Sequence, residues 1–192
     1  MKTFALAVLT LCGTLGAAEA EIRPQPLFGN DFSAVAPGAR PPYLQKGEAV
    51  KEADGNVYMK IPAKSYAVLN HSTIFYQYGG KNWKNYRLSF RFRYDGTLHF
   101  STSFRGGGVN FTAKNATYFN HGTKTTKKVD FAVPLEAGKW HTCSIDVMDS
   151  EMKLAVDGKP LLTQAIPKDR GAVNFGVHQP LDLDDLFVVA VE

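Results

Sequence analysis

Cysteine is scarce in the 192-residue sequence, which contains only Cys12 and Cys143. Because Cys12 falls in an apolar N-terminal stretch that we expect to be removed, the remaining chain has one thiol and cannot form an intrachain disulfide. Cys143 alternates in phase with Ile145 and Val147, so we predict a buried apolar side chain rather than a nucleophile. The 5 histidines are scattered without the spacing of metal ligands, which disfavours a zinc site.

Long apolar runs are confined to the N-terminus, where Met1-Lys2-Thr3 precedes the run FALAVLTLCGTLGAA. Ala18 and Ala20 supply small residues just before a cleavage point, which is the pattern of a secretory signal peptide over residues 1–20. No later segment has the length and apolar character of a transmembrane helix. We therefore predict a secreted or periplasmic protein in which residues 21–192 form a single domain.

Acidic residues are rare in the middle of the chain. Residues 60–128 contain 12 Lys or Arg and a single acid, which gives +11, whereas residues 129–192 contain 5 basic and 11 acidic residues, which gives −6. A basic segment on a secreted chain predicts an anionic partner, and the signal peptide favours an acidic polysaccharide or glycan over nucleic acid. The alternative is that folding brings the basic and acidic segments together and dilutes the asymmetry.

Helical periodicity is also missing, and alternation of apolar and polar residues takes its place. In 86–94, with the sequence YRLSFRFRY, the apolar side chains point to one face and the arginines to the other. Short strands separated by Gly, Pro and Asn predict an all-β fold, a two-sheet β-sandwich of the jelly-roll kind. We predict strands at 57–61, 66–69, 86–94, 98–105, 109–113, 129–133, 141–148, 152–156, 160–165, 172–178 and 185–191.

Turn residues and hydrophobicity predict some details of this sandwich. Asp157-Gly158 predicts a two-residue hairpin that places Leu154 opposite Leu161. The glycines at 106–108 predict a flexible loop. The strand at 185–191 is apolar on both faces, which predicts a central position in its sheet or one under a loop.

Several segments resemble the secreted bacterial 3-keto-disaccharide hydrolase type domain, which has the concanavalin A-like, or laminin G-like, jelly-roll fold. The similarity covers most of 26–190 and is carried by the opening PLFGNDF at 26–32, the strands 86–94 and 103–105, the segment 140–159, and the closing stretches 171–178 and 184–188. The resemblance implies a concanavalin A-like domain that binds or processes carbohydrate. It also raises the hypothesis of a glycoside hydrolase.

The paired carboxylates that glycoside hydrolysis requires are not apparent. The sequence lacks the string Glu-x-Asp-x-x-Glu that laminarinase-like jelly rolls carry on one strand, and the nearest pair of glutamates within 21–192, Glu48 and Glu52, lies in a loop-like stretch. The sequence therefore favours a binding domain and leaves catalytic residues unassigned. A structural or adhesive envelope protein that docks on an anionic polymer is a second hypothesis.

The two arginine-containing strands supply the candidate binding site. If the three-residue connection 95–97 joins them as a hairpin, Arg91 lies opposite Ser101, and the polar faces of the two strands coincide. Guanidinium groups pair well with carboxylate or sulfate. We therefore predict one basic platform for an anionic glycan, formed by Arg87, Arg91, Arg93, His99 and Arg105.

The two tryptophans are predicted to have opposite roles. Trp83 is flanked by Lys and Asn residues, so we expect it to be exposed and able to stack on a sugar ring. Trp140 leads a strand with a buried phase, so we expect it in the core.

No cofactor is predicted, but one cation site is considered. Asp182, Asp184 and Asp185 cluster near the C-terminus. Asp31 and Asp185 are the candidate ligands of a structural calcium ion, since concanavalin A-like domains often hold one. The alternative is a solvated acidic turn that caps the last strand.

Overall fold

The computed structural model describes residues 26–65, 83–166 and 173–191. Every regular element in these ranges is a β-strand, which confirms the predicted all-β class. None of the described residues forms a helix that is long and apolar enough to cross a membrane. The strands in chain order are β1 (Pro26–Asn30), β2 (Glu48–Lys51), β3 (Val57–Ile61), β4 (Tyr86–Arg93), β5 (His99–Phe104), β6 (Gly107–Thr112), β7 (Asn115–Asn120), β8 (Thr126–Asp130), β9 (His141–Met148), β10 (Glu151–Val156), β11 (Lys159–Ala165), β12 (Asn174–Val177) and β13 (Leu181–Ala190).

The strands form two antiparallel sheets. The eight-stranded sheet has the order β11-β10-β9-β4-β13-β3-β2, and β1 also pairs with β13. The five-stranded sheet has the order β12-β5-β6-β7-β8. The strand that is apolar on both faces, β13, lies between β4 and β3, so its predicted central position is confirmed.

Aromatic side chains fill the space between the sheets. Along β4 the apolar members of the alternation are buried, and along β5 the same is true of Phe100 and Phe104. The ring centroids of Phe92 and Phe100, which belong to opposite sheets, are 5.1 Å apart, and Phe90 and Phe175 are 5.0 Å apart. Burial of these large side chains is the main source of stability in such a fold. Cys143 is buried as predicted, and burial raises the pKa of its thiol.

The predicted hairpin between the two arginine-containing strands is wrong. β4 pairs with β9 and β13, whereas β5 pairs with β6 and β12 in the other sheet. Both strands turn their aromatic faces into the core, so they stack across the sandwich and their polar faces point in opposite directions. Arg91 consequently lies opposite Thr142 and Asp184, not opposite Ser101.

The other predicted hairpin is present, with a different register. β10 and β11 pair around the turn at Asp157-Gly158, but Leu154 lies opposite Leu162 rather than Leu161 because the register shifts after Leu154. A bulge of this kind adds a residue to one strand without disturbing the turn.

Three further differences concern strand positions. Gly107 and Gly108 belong to β6 and are not part of a flexible loop. β7 was not predicted, since its sequence NATYFN places polar residues at both ends. β8 covers Thr126–Asp130, three residues before the strand predicted at 129–133, and the candidate strand at 66–69 lies outside the described residues.

Candidate functional site

The residues predicted to form one basic platform lie in three different environments. Arg87, Arg91 and Arg93 project from the outer face of the eight-stranded sheet, and His99 projects from the outer face of the five-stranded sheet. Arg105 is buried. The prediction of a single platform is therefore wrong, because it depended on a hairpin that the chain does not form.

Carboxylates from neighbouring strands pair with the arginines of β4. Arg87 Nε and Nη2 donate to the two carboxylate oxygens of Asp146 at 2.5 and 2.8 Å. Arg93 Nε donates to Asp182 Oδ2 at 2.9 Å, and Arg93 Nη1 donates to Glu52 Oε1 at 2.7 Å. Although burial lowers the pKa of Arg93, these two acceptors raise it overall. Both guanidinium groups are committed to partners within the protein.

Aromatic rings also hold Arg93 in place. Its Cζ lies 4.5 Å from the ring centroid of Trp140 and 4.9 Å from that of Tyr58, and the two rings contact each other edge to face. Cation–π contacts of this geometry stabilise a partly desolvated guanidinium. Sequence reasoning did not identify Tyr58, which lies on a different strand and is far from Arg93 in the chain.

The two tryptophans have the reverse of their predicted roles. Trp83 is only 5% exposed and contacts Tyr86 in the core, so the expectation that it is exposed is wrong. Trp140 immediately precedes β9 and lies on the outer face of the eight-stranded sheet, partly exposed. Residues before a strand need not keep its alternation, and the flanking residues of Trp83 do not determine where its ring packs.

The buried side chain of Arg105 links segments of the protein and is not part of a surface site. It is 1% exposed, and its guanidinium donates to the backbone carbonyl oxygens of Lys84 and Asp149. These contacts join the end of β5 to two segments that flank the eight-stranded sheet. A ligand would have no access to the guanidinium without a rearrangement.

The two residues predicted to bind calcium do not fit that role together. Asp31 accepts hydrogen bonds from the backbone N–H and the hydroxyl of Ser33, and these bonds lower its pKa. Asp185 pairs with Arg91. Asp184 is fully buried and accepts from Asn56. Across the described ranges, no group of three or more His, Cys, Asp or Glu residues is arranged to hold a metal ion. Calcium prefers six or more oxygen ligands.

The outer face of the five-stranded sheet has a different chemistry. Its polar side chains are hydroxyls and amides, and the antiparallel register sets them in rows across the strands. The first row contains Gly176, Ser101, Asn110, Thr117 and Lys128, and the second contains Asn174, Ser103, Gly108, Phe119 and Thr126. We refer to this surface as the hydroxyl–amide face.

Most of these groups lack a hydrogen-bond partner among the described residues. Within the described residues, the side chains of Ser101, Ser103, Asn110 and Thr117 form no hydrogen bond, and all four are partly exposed. The Oδ1 atom of Asn174 is buried and accepts no hydrogen bond from any described residue. Unpaired donors and acceptors that are held on a rigid sheet are suited to bind a hydroxylated ligand.

An aromatic ring lies across the second row. Phe119 covers Gly108, where an added Cβ would overlap the ring and lie 2.5 Å from the carbonyl oxygen of Thr102. The residue at 108 must therefore be glycine for Phe119 to lie close to the sheet. His121 contacts the ring edge to face, with centroids 4.8 Å apart. Phe119 is partly exposed, so it presents an apolar surface among hydroxyls and amides.

One end of the hydroxyl–amide face opens into a cavity of about 370 Å³. His99, Thr112, Lys114 and Asn115 are among its lining residues. The rings of His99 and His178 are 4.4 Å apart. Burial lowers the pKa of His99, and the neighbouring His178 lowers it further.

Several lysines lie along the edge of the five-stranded sheet that β8 forms. Lys127 and Lys128 belong to the edge strand β8, and Lys124 lies in the turn before it. Lys128 pairs with Asp130 at 3.1 Å. Lys124 and Lys127 are exposed and have no acidic partner among the described residues. This edge is therefore positively charged, but Lys127 alternates with Thr126 and Lys128 and points away from the hydroxyl–amide face.

Comparisons with known proteins identify the fold. No family model matches the sequence, and no curated protein matches it. Similar solved structures include an endo-β-1,4-glucuronan lyase from the fungus Trichoderma reesei, with a TM-score of 0.53 and 10% identity over 87% of this chain and 96% of that chain. The carbohydrate-binding module CBM66 from Bacillus subtilis has a TM-score of 0.51 and 10% identity over 76% and 92% of the two chains.

A third similar structure is the exoplasmic/lumenal domain of VIP36 in a Ca2+- and Man-bound form. Its TM-score is 0.51, with 8% identity over 76% of this chain and 82% of that chain. Similarities at this level of identity establish a shared concanavalin A-like β-sandwich. Residue roles have to be inferred from the chain itself.

Proposed function

We propose that the protein is a carbohydrate-binding domain that holds its ligand across the hydroxyl–amide face. The observation that carries this proposal is the set of partly exposed hydroxyl and amide side chains without partners among the described residues, arranged around Phe119. A sugar needs donors and acceptors for its hydroxyls and an apolar surface for its C–H face. The similar structures include a carbohydrate-binding module, which supports the proposal.

The proposed ligand is an acidic glycan. Lys124 is exposed in the turn at the edge of the face without an acidic partner among the described residues, and Lys114 is exposed and lines the cavity at one end. These groups are available to a carboxylate or sulfate, whereas Arg87 and Arg93 are already paired. One similar structure is a glucuronan lyase, whose name refers to an acidic polysaccharide, and this is consistent with the proposal.

Location and cofactor content complete the proposal. The signal-peptide pattern at 1–20, outside the described residues, supports a secreted or periplasmic location. Structural calcium is not part of the proposed mechanism, because the described acidic residues do not form a suitable ligand set.

Two other functions stay as hypotheses. A hydrolase of the 3-keto-disaccharide type would need acid–base residues at the ligand, but the single acid on the strands of this sheet is Asp130 at the end of the edge strand β8, where it pairs with Lys128. An adhesive envelope protein would use the lysine edge alone, without a preference for one sugar. The hydroxyl–amide face favours a binding domain over both.

A glycan array followed by calorimetry tests the proposal. We expect binding to discrete acidic oligosaccharides, and we expect Phe119→Ala to weaken it about tenfold or more through loss of the stacking surface. Val133→Ala is the matched control, since Val133 is 69% exposed and lies off this face. Lys114→Gln with Lys124→Gln should lower affinity for acidic glycans at low salt.

Three results would count against the proposal. Absence of binding to any glycan would reject it, and so would an unchanged affinity in Phe119→Ala. If the protein binds every polyanion and this binding disappears at 0.5 M salt, where the Debye length is about 4 Å, the adhesive function is favoured instead.

A further inference from the structure

A groove crosses the outer face of the eight-stranded sheet, opposite the hydroxyl–amide face. Its floor is a row of residues that the register aligns across four strands: three short side chains, Ala155 on β10, Ser144 on β9 and Ser89 on β4, followed by Phe187 on β13. On one side of this row, Arg87, Asp146 and Lys153 form a row of long charged side chains. Short residues between long ones leave a cavity of about 520 Å³ in this part of the sheet.

The other wall of the groove contains Arg91, whose guanidinium is the least committed of the three on β4. Its only hydrogen bond to a described residue is from Nη1 to Asp185 Oδ2 at 3.3 Å, and Asp184 Oδ2 is 3.7 Å away. The Arg91 side chain is 35% exposed, and the Asp185 side chain is 40% exposed. Arg91 Cζ lies 4.9 Å from the ring centroid of Trp140, which fixes the guanidinium plane at the groove. Its remaining N–H groups are free to bind a ligand within the described structure.

Asp185 reaches the groove because β13 is irregular at this point. The register of β13 against β4 shifts between Asp184 and Phe187, and Asp185 has a φ of 48°, in the left-handed region. A bulge redirects a side chain relative to regular alternation, and such irregularities are common next to binding sites. Asp184 and Asp185 therefore both face the side of Arg91, while Phe187 returns to the floor of the groove.

We propose that this groove is a second binding site, which takes one neutral sugar ring. Arg91 would donate to one ring hydroxyl, and Asp185 would accept from its neighbour. The hydroxyls of Ser89, Thr142 and Ser144 line the same space, and Phe187 supplies an apolar surface. The volume is in the range of small-molecule sites. This site goes beyond the proposed function and uses none of the residues of the hydroxyl–amide face.

Charge favours a neutral ligand over an acidic one. Arg91 and Asp185 are the only charged side chains among the described residues that line the cavity, and their charges cancel. In the neighbouring charged row, Arg87 is paired with Asp146 and Lys153 with Glu151. A carboxylate would have to displace Asp185 from Arg91 while the oxygen of Asp184 remains 3.7 Å from the same guanidinium. Like charges brought together at a partly dry surface repel. A hydroxyl pair has no such cost and satisfies both members of the pair.

Titration by ¹⁵N NMR tests the proposal, with methyl glycosides of glucose, galactose and mannose as neutral probes and methyl glucuronide as the acidic probe. We expect a neutral glycoside to shift the amide signals of Ser89, Ser144, Ala155 and Phe187. Ala155→Leu fills the floor of the groove and should weaken this binding at least fivefold. Thr163→Leu is the matched control, since Thr163 is exposed on the same face outside the groove.

The outcomes separate this site from the proposed function. Retention of the groove signals in Phe119→Ala, together with their loss in Ala155→Leu at unchanged thermal stability, supports the second site. Shifts confined to the hydroxyl–amide face overturn the second site and leave the proposed function intact. Shifts in the groove with methyl glucuronide alone also overturn it, since the ligand is then acidic. If no probe shifts the amide signals of either face, both proposals are rejected.

Discussion

The two outer faces of the sandwich use polar residues in opposite ways. On the eight-stranded sheet, Arg87 and Arg93 are bound to carboxylates from neighbouring strands. On the five-stranded sheet, Ser101, Ser103 and Asn110 have no partner among the described residues. The more highly charged face therefore has less capacity to bind an outside ligand. Whether a polar side chain can bind a ligand depends on whether the neighbouring strands supply it with a partner. The charge of its own strand does not reveal this.

The same comparison explains the uneven charge along the sequence. The basic segment 60–128 contains β4, and the acidic segment 129–192 contains β9 and β13. The sheet places β4 between those two strands, so the arginines meet Asp146 and Asp182 directly. The alternative that folding mixes the two segments is confirmed for these residues. What remains available to an anionic ligand is the lysine edge of the other sheet.

The largest expected effect is the loss of stability on removing Arg93. Its side chain is 19% exposed, and its replacement by alanine leaves Asp182 and Glu52 without their cation. Burial raises the pKa of Asp182, and the bond to Arg93 opposes this, so the carboxylate depends on the arginine. We expect Arg93→Ala to lower the free energy of unfolding by about 3 kcal/mol, measured by chemical denaturation.

A matched substitution on the other face sharpens this prediction. Ser103→Ala removes a hydroxyl that has no partner among the described residues, so we expect a change of about 0.5 kcal/mol or less. Glycan binding should respond in the reverse order, weakened by Ser103→Ala and unchanged at moderate temperature by Arg93→Ala. Equal stability of the two variants would contradict the comparison.

The next effect concerns the packing of Phe119 on the hydroxyl–amide face. In Gly108→Ala the added methyl group meets the Phe119 ring and the carbonyl oxygen of Thr102, so the ring must move away from the sheet. We expect a loss of about 2 kcal/mol in the free energy of unfolding and a parallel loss of glycan affinity. Gly122→Ala is the control for an added methyl group, because its backbone is not in the left-handed region and the only described atom near an added Cβ is Asn120 Oδ1, at an ordinary contact distance of 3.4 Å.

Much of the fold was predictable, because alternation depends only on neighbouring residues. The pattern at 86–94 correctly placed the arginines on one face and the aromatics in the core. Asp157-Gly158 correctly predicted a hairpin, since a two-residue turn is a local feature. The pairing of β4 with β9 and β13 joins residues far apart in sequence, and no local pattern encodes it.

The candidate site was less predictable for the same reason. Arg93 was recognised as an outward arginine, but its partners Glu52, Asp182, Tyr58 and Trp140 come from four other segments. The hydroxyl–amide face has ordinary Ser, Thr and Asn residues, which attract no attention in a sequence. Only the spatial rows, and the absence of partners within the described residues, distinguish them from other surface residues.

The pH dependence of stability gives a smaller effect that concerns only the eight-stranded face. Burial raises the pKa of Asp184 above its usual value, while the bond from Asn56 opposes the shift. A carboxyl group whose pKa is higher in the folded than in the unfolded state destabilises the folded protein when it is ionised. The free energy of unfolding therefore falls as the pH rises through the pKa of the folded state. Asp184→Asn removes the ionisation and keeps an oxygen acceptor.

We expect the stability of Asp184→Asn relative to the unmodified protein to increase as the pH rises from below 4 to neutrality. Thermal unfolding at a series of pH values measures the difference. A difference that is constant across this range would show that Asp184 ionises as freely in the folded protein as in the unfolded chain. Asn110→Ala, on the other face, should give a difference that does not vary with pH.

The smallest expected effect is that of Arg87→Ala. Arg87 and Asp146 form a bidentate pair with bonds of 2.5 and 2.8 Å, but the arginine side chain is 55% exposed. Water and salt screen such a pair, and holding both side chains in one geometry costs entropy, so exposed pairs stabilise proteins by about 0.5 kcal/mol. We expect Arg87→Ala to change the free energy of unfolding by no more than that at 0.15 M salt, and by less at 1 M.

Arg93→Ala should keep most of its effect at 1 M salt, because its pair is more deeply buried and packed against Tyr58 and Trp140. If the two variants lose stability equally, or if salt abolishes both effects, then the arginines of this face act as one exposed charged surface, and the contrast between the two faces of the sandwich would be wrong.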